Sequence, residues 1–219
     1  MDYEALDRLA ARLMAKRKPH VQRERGSIYY HGQRVAKGVI QLRKLVTVDN
    51  SHDPYLRVAA LFHDVGKGMD PHASIGASLM REQLKPYLAP DEIEEVTRLI
   101  ANHDDRKPDS NKHDLPTRLL QDADLLDHYG TQEIFMCFSY SATHERGIHT
   151  ALDFYRDDFK KIVNRQRKML NFEESRRIFE EKYRFEREFI KRLKVESEGG
   201  YMPIKKGVAE TAVIDFDFE

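Results

Sequence analysis

The stretch VAALFHDVGK at residues 58–67 joins an apolar run to an adjacent histidine and aspartate. The apolar run predicts a buried helix that opens at Asp53-Pro54, with the aspartate as cap and the proline at the first helical position. His63 and Asp64 then stand at the helix end, where two strong metal-ligand groups are hard to explain as packing. The stretch therefore predicts a helix that delivers metal ligands at its C-terminal end.

Three further residues of the same chemistry lie at the edges of helical apolar patterns. His31 lies upstream in YYHGQRVA, His103 downstream in LIANHDD, and Asp124 further on in LLQDADLLD. Ions of the Mn, Fe, Co and Mg range accept mixed imidazole and carboxylate ligands, and such sites with open positions support hydrolysis. An isolated histidine is more often structural, so the ordered set carries the inference of a metal centre.

This order of His, His-Asp, His and Asp resembles the HD-domain family of metal-dependent phosphohydrolases, and the resemblance covers roughly residues 27–130. The primary metal ligands that the resemblance implies are His31, His63, Asp64 and Asp124. We prefer Asp124 to Asp122 and Asp127, which we expect to hydrogen-bond ligands or to cap the helix. The resemblance implies hydrolysis of a phosphate ester or anhydride, preferably in a nucleotide, by metal-activated water. The charged C-terminal stretch resembles that of small stand-alone bacterial members.

His72, at the start of the helix after the His-Asp pair, resembles an extra histidine of dinuclear members of this superfamily. With His103 it would form a second metal site, bridged to the first by Asp64. Dinuclear members often present two consecutive histidines where this chain has His103-Asp104, so either Asp104 substitutes or the second site is weak. We expect one or two divalent ions (Mn, Mg, Co or Fe), with two favoured over one.

Two cationic side chains are candidates for contact with a phosphate. Lys67 follows the His-Asp pair closely enough to reach a phosphate or a leaving oxygen, so we predict Asp64 and Lys67 as the catalytic residues. Arg34 shares a helix face with His31 and could bind substrate, but an ion pair with a core carboxylate is an equal alternative. The other histidines, including His128, are interpreted as surface or structural residues.

Two other functions stay open at this point. Dinuclear iron members of the superfamily are oxygenases, and His72 together with His103 keeps that alternative open; oxygen consumption would distinguish it. A regulatory module that binds a nucleotide without turnover is the other alternative. The complete ligand set argues against a pure binding module, which has no use for every ligand.

Helical periodicity runs through the chain, and strand-like alternation is confined to its last ten residues, so we predict an all-α fold. A single HD-type domain is expected over residues 1–198, with the motif core at about 27–130 and a packed C-terminal helical pair at about 151–195. The two helices of that pair should be separated at Asn171-Phe172, and the apolar run at 134–138 should form another buried helix. The tail, 199–219, could be a short strand, an oligomer contact or disordered; the oligomeric state is open.

The composition gives no support to a nucleic-acid or membrane partner. Among 219 residues, 37 Lys and Arg balance 37 Asp and Glu, so no global field favours nucleic acid or membrane. The single cysteine, Cys137, is expected to be a buried hydrophobe, and its lack of a pairing partner suits a reducing compartment. No run approaches the ~18 apolar residues of a membrane span, and the N-terminus lacks a signal peptide. We expect a soluble cytoplasmic enzyme that acts on a phosphorylated small molecule.

Overall fold

Helices form all of the regular secondary structure in the computed structural model, which describes residues 1–108 and 112–203. The predicted all-α fold is confirmed. The helices are α1 Tyr3–Met14, α2 Ser27–Val46, α3 Asp53–Phe62, α4 His72–Gln83, α5 Pro90–Asn102, α6 Leu115–Asp127, α7 Thr131–Thr143, α8 Ile148–Phe154, α9 Lys160–Arg167 and α10 Glu173–Ser197; a π-helical turn, Tyr155–Phe159, joins α8 to α9. The strand-like segment 213–218 lies outside the described residues.

Helix α2 lies at the centre of the fold and packs against both α3 and α6. Its residues Val35, Val39 and Leu42 recur at helical spacing and are at most 2% exposed. The approach of α2 to α3 is unusually close at Gly32, where an added Cβ would lie 2.4 Å from the carbonyl oxygen of Leu61. Only glycine permits this approach, which brings the start of α2 beside the end of α3.

The start of α3 differs from the prediction in one detail. Pro54 lies in the first turn as expected, but the N-cap position belongs to His52, and Asp53 is already helical. The Asp53 carboxylate instead accepts a hydrogen bond from Arg43 of α2, with Nε and Oδ1 2.7 Å apart. This charged pair ties the two helices together at the end opposite to the His-Asp motif.

The C-terminal helices pack on the core through α10, which contacts α2, α6, α7 and α8. The predicted separation at Asn171-Phe172 is confirmed, because α9 ends at Arg167 and α10 begins at Glu173. Asp122 of α6 accepts hydrogen bonds from the backbone N–H groups of both residues, at 3.0 and 3.2 Å. Asp122 thus accepts hydrogen bonds from N–H groups at the start of the neighbouring helix α10 and does not cap its own helix, α6.

Helix α7 forms where the apolar run at 134–138 predicts a helix, but the expected burial is wrong. Phe135 is 51% exposed, and Cys137 is only partly buried. The buried residues of α7 are instead Glu133 and Ser141. Met136 and Cys137 line a cavity, while Phe138 packs against the core. In the described parts of the chain, no helix is both long and apolar enough to cross a bilayer.

Candidate metal centre

Five histidine rings lie in a continuous row where the ends of α2, α3, α4, α5 and α6 meet. The ring centroids of His128 and His31 are 4.8 Å apart, those of His31 and His63 4.9 Å, those of His63 and His103 4.9 Å, and those of His103 and His72 5.1 Å. The structure thus brings together all four of the predicted histidine ligands. The fifth ring, that of His128, extends the row by one position.

Two of these rings are oriented by the helices that precede them. His63 follows α3 directly, and its Nδ1 lies 2.7 Å from the carbonyl oxygen of Ala60. His103 follows α5 in the same way, with its Nδ1 2.7 Å from the carbonyl oxygen of Ile100. A carbonyl oxygen only accepts, so each neutral ring carries its proton on Nδ1 and leaves Nε2 as a free acceptor. Each helix end thereby fixes the tautomer that a metal ligand needs.

His31 is oriented by a carboxylate from α6. Its Nδ1 donates to Asp127 at 2.7 Å, which leaves its Nε2 facing the other ligands. Arg34 holds Asp127 with both Nε and Nη2, at 2.9 Å each. Although burial opposes ionisation, the hydrogen bonds from His31 and Arg34 lower the pKa of Asp127 to about 2. Arg34 therefore forms the ion pair that was one of its two expected roles, and Asp127 hydrogen-bonds a predicted ligand.

The two buried carboxylates lie between the histidines. Asp64 Oδ1 is 3.8 Å from His63 Nε2 and 3.6 Å from the Nε2 atoms of both His72 and His103. Asp124 Oδ1 is 2.9 Å from His31 Nε2 and 3.5 Å from His63 Nε2. Asp64 consequently faces both halves of the row.

These donors suit a divalent transition ion. The ligand atoms of His31, His63 and Asp64 lie within 4.8 Å of one another, and so do those of Asp64, His72 and His103. The Nε2 atoms of His31 and His63 lie 3.2 Å apart, and Asp124 Oδ1 lies 2.9 Å from His31 Nε2. Adjacent ligands of an octahedral ion with bonds of ~2.1 Å are about 3 Å apart, so this spacing suits ligation of one cation.

In the second half of the row, His72 has a more distant carboxylate partner than His31 has. His72 Nε2 faces His103 Nε2 at 3.2 Å. Asp104 lies on the opposite side of the His72 ring, with its Oδ2 3.6 Å from Nδ1. In this arrangement Asp104 faces the ring nitrogen that points away from the row. It is placed to orient His72 and not to replace a second histidine as a ligand.

The loop that carries the His-Asp pair is held by contacts that the sequence did not suggest. Arg17, after α1, donates to the carbonyl oxygens of Val65 and Lys67, the latter at 2.6 Å. Gly66 packs against the start of α4, where an added Cβ would lie 2.1 Å from the carbonyl oxygen of His72. Lys67 Nζ lies 3.2 Å from Asp64 Oδ1, and the Lys67 side chain is 31% exposed. The loop thus presents an ammonium group beside the central carboxylate.

His128 and Arg106 also belong to the site, although sequence analysis missed them. His128 Nε2 is 3.4 Å from Asp124 Oδ1, which corrects its interpretation as a residue outside the site. Its position four residues after Asp124 on one helix was an available signal, because such residues share a face. Arg106 forms an ion pair with Asp124. Although burial opposes ionisation, this guanidinium holds the pKa of Asp124 well below its ordinary value. The loop sequence around Arg106 gave no such signal.

A cavity of about 1050 Å³ opens beside His128 and Arg106. Its lining comes from α6, α7, α8, the π-helical turn and α9, together with Gln22 and Arg23 from the segment before α2. Ligand sites usually occupy roughly 300–1,000 Å³, so the cavity is large enough for a substrate that reaches the metal centre from this side.

Comparison with known proteins agrees with this geometry. The HD domain family model matches residues 28–129, which contain every predicted metal ligand. No curated protein matches the sequence. Among solved structures, Bacillus subtilis YpgQ in complex with ADP is 21% identical with a TM-score of 0.64, over 89% of this chain and 98% of that one.

Two further solved structures extend the likeness. An HD-superfamily hydrolase from Bacillus thuringiensis is 21% identical, with a TM-score of 0.64 over 90% of this chain and 99% of that one. A predicted HD superfamily hydrolase from an uncultured Thermotogales bacterium is 20% identical, with a TM-score of 0.60 over 89% and 92%. At these identities the likeness shows the fold, and its coverage includes the C-terminal helices. The chain carries a region, residues 28–129, that matches the HD domain family.

Proposed function

We propose that this protein is a metal-dependent phosphohydrolase that cleaves a phosphate ester or anhydride of a nucleotide. One observation carries the proposal. The Nε2 atoms of His31, His63 and His103 converge on the buried carboxylates of Asp64 and Asp124. Burying this many polar groups is costly unless each has a partner, and divalent cations bound between them would satisfy these ligand atoms.

Two overlapping ligand sets follow from the distances. The first set is His31, His63, Asp64 and Asp124, and the second is Asp64, His72 and His103. Asp64 belongs to both sets, and its central position supports a bridging role between two ions. When bound, divalent ions supply Lewis acidity, which neutralises phosphoryl oxygens and makes water more acidic.

Lys67 is the residue of the chain best placed to assist the leaving group. Its ammonium carries three donors, of which the contact with Asp64 uses one. Because the side chain is partly exposed, the remaining donors can reach a phosphoryl or leaving oxygen and supply a proton there. Arg34 already holds Asp127 in a two-point contact, so its contribution is the orientation of His31. Arg23 and Arg106 line the cavity beside the metal centre and are available to bind further phosphate groups.

A nucleotide is the proposed substrate for two reasons. The cavity beside the metal centre is large enough for a nucleoside, and it carries guanidinium groups at the end near the centre. YpgQ, which shares the fold, has been crystallised in complex with ADP.

A second candidate function follows from the position of Asp64 between two histidine groups. A carboxylate shared by two ions is also what a dinuclear iron oxygenase needs, so oxygen chemistry is the alternative within the same superfamily. The two functions differ in their products, because only a phosphohydrolase releases phosphate or pyrophosphate, and only an oxygenase consumes oxygen.

The decisive experiment loads the metal-free protein separately with manganese, magnesium, cobalt and iron and tests each form on nucleotides and simple phosphate esters. Released phosphate, released pyrophosphate and dissolved oxygen are measured together. We expect hydrolysis with at least one metal and no oxygen uptake. Oxygen uptake without phosphate release would instead assign the oxygenase function.

Asp64→Ala provides the test of the site. We expect this variant to retain the helical circular dichroism of the wild type but to lose more than about 100-fold in turnover, beyond the usual effect of an outer partner of a ligand. Asp70→Ala is the matched control, since Asp70 is an exposed carboxylate of the same loop. Near-normal turnover in the Asp64 variant would contradict the proposed metal centre.

A further inference from the structure

The cavity beside the metal centre is lined by both charged and apolar side chains. Arg106 and His128 line it, and both contact Asp124 of the metal centre. The lining also includes the acidic residues Asp153, Asp157 and Asp158, and an apolar part to which the core residues Leu125 and Phe159 belong. A ligand with phosphate groups that reach Arg106 and an uncharged ring that lies on the apolar side chains therefore matches the cavity.

Aromatic side chains provide flat surfaces in the apolar part. Tyr129, Tyr140, Phe154 and Phe159 all line the cavity. Stacking of a base on an aromatic side chain contributes roughly 1–3 kcal/mol, and it needs no particular base because every base has a flat π-face. These rings can hold a nucleobase, but they cannot select one base over another.

A buried carboxyl group on α7, that of Glu133, can form the hydrogen bonds that would distinguish one base from another. Glu133 lines the cavity, yet the residue is only 8% exposed. The hydroxyl of Tyr155 donates to its Oε2 at 3.0 Å and so fixes one oxygen of the carboxyl group. Burial raises the pKa of Glu133 to about 7, so near neutral pH the group is present both as an acid that can donate and as a carboxylate that accepts.

Tyr155 begins the π-helical turn between α8 and α9. The turn, Tyr155–Phe159, inserts wide helical geometry between α8 and α9, and Tyr155 and Phe159 at its two ends are both buried. Such turns occur mostly within longer helices and frequently at functional sites. Here the turn faces the same cavity as Glu133 and Cys137 of α7, residues that lie one helical turn apart on one face.

We propose that the apolar side chains of this cavity bind the nucleobase of the substrate and that Glu133 selects the base by hydrogen bonding to its polar edge. Bases differ in the order of donors and acceptors along that edge, so a carboxyl group held by Tyr155 distinguishes them. A buried site built to hydrogen-bond its ligand rejects ligands that leave its polar group unpaired. The inference rests on the proposed function for its phosphate end, but base binding can be measured without hydrolysis.

The test compares Glu133→Met, which removes hydrogen bonding at nearly constant volume, with Glu133→Gln, which keeps a donor and an acceptor and still accepts from Tyr155. Binding of adenosine, guanosine, cytidine and uridine to the metal-loaded full chain is followed by NMR chemical-shift titration. We expect at least one nucleoside to bind, with Kd weakened about 10- to 100-fold in Glu133→Met and largely restored in Glu133→Gln. The spread of kcat/KM among the four nucleotides should also shrink in the methionine variant.

Each outcome bears on one of the two proposals separately. If no nucleoside binds, or if the methionine variant binds all four as the wild type does, Glu133 does not select the base and the inference is overturned. Loss of binding in both variants would show that Glu133 only supports the local structure, which also overturns it. Selective nucleoside binding without any phosphate release would leave this inference standing and contradict the proposed hydrolysis.

Discussion

Replacing Gly32 by alanine should separate the two helices that bring His31 beside His63. The new Cβ would lie 2.4 Å from the carbonyl oxygen of Leu61, whereas ordinary contact begins at 3.4 Å. The backbone fixes the position of a Cβ, and its partner is a backbone oxygen, so no side-chain rotation relieves the overlap and α2 must move from α3 by about 1 Å. The 3.2 Å separation of the His31 and His63 Nε2 atoms should then widen toward about 4 Å, beyond the ~3 Å spacing of adjacent ligands.

The expected change in the free energy of unfolding follows from two opposing effects. Overpacking a core contact costs about 1–3 kcal/mol, while replacing glycine by alanine inside a helix stabilises by up to about 1 kcal/mol. We therefore expect a net loss of about 1–2 kcal/mol in the free energy of unfolding, a decrease in Tm of roughly 2–8 °C for a chain of this size. Metal affinity should fall about 10- to 100-fold, the usual cost of misplacing a ligand through its support.

Gly38→Ala is the matched control for this experiment. Gly38 lies on the same helix, and an added Cβ there would meet nothing within 4 Å. This variant should gain about 0.5–1 kcal/mol in stability and keep its metal. Urea unfolding gives both stabilities, and calorimetric titration of metal into the metal-free variants gives the affinities. If Gly32→Ala is as stable as Gly38→Ala and binds metal equally well, the close approach of α2 and α3 does not assemble the site.

Two further variants test the second metal site and the buried acid next to α7. His72→Ala should lower bound metal from about two ions to about one per chain in elemental analysis, because only the second ligand set loses a member; unchanged content would show that His72 is structural. Burial raises the pKa of Glu186 to about 8, so the folded state keeps a proton that the unfolded state releases above pH ~4.5. Stability should accordingly fall as pH rises from about 5 to 8, by up to about 1.4 kcal/mol per pH unit from this one group. In Glu186→Gln the side chain still accepts a hydrogen bond from the backbone N–H of Gly130. The Tm of this variant should exceed that of the wild type at pH 8 and approach it at pH 5. An equal difference in Tm at both pH values would show that ionisation of Glu186 does not cause the loss of stability.

Helix limits were predicted well where the determining interactions are local. Proline and glycine positions and the apolar spacing placed the helices along the chain, and the separation near Asn171 agrees with the structure. The burial of α7 was not predictable in this way, because an apolar run looks the same whether it faces a core or a cavity. Met136 and Cys137 of this run line the cavity on which the substrate proposal depends.

Residue type and periodicity are properties of short segments, so local patterns in the chain were enough to predict the candidate ligands and the helical fold. How those ligands are held depends on contacts between helices that are distant along the chain. Asp127 orients His31 from 96 positions along the chain, and Arg17 holds a loop almost 50 residues away. The same packing brought Arg106 to the metal centre and Glu133 to the cavity. Such contacts arise when distant helices meet, so no local pattern in the chain records them.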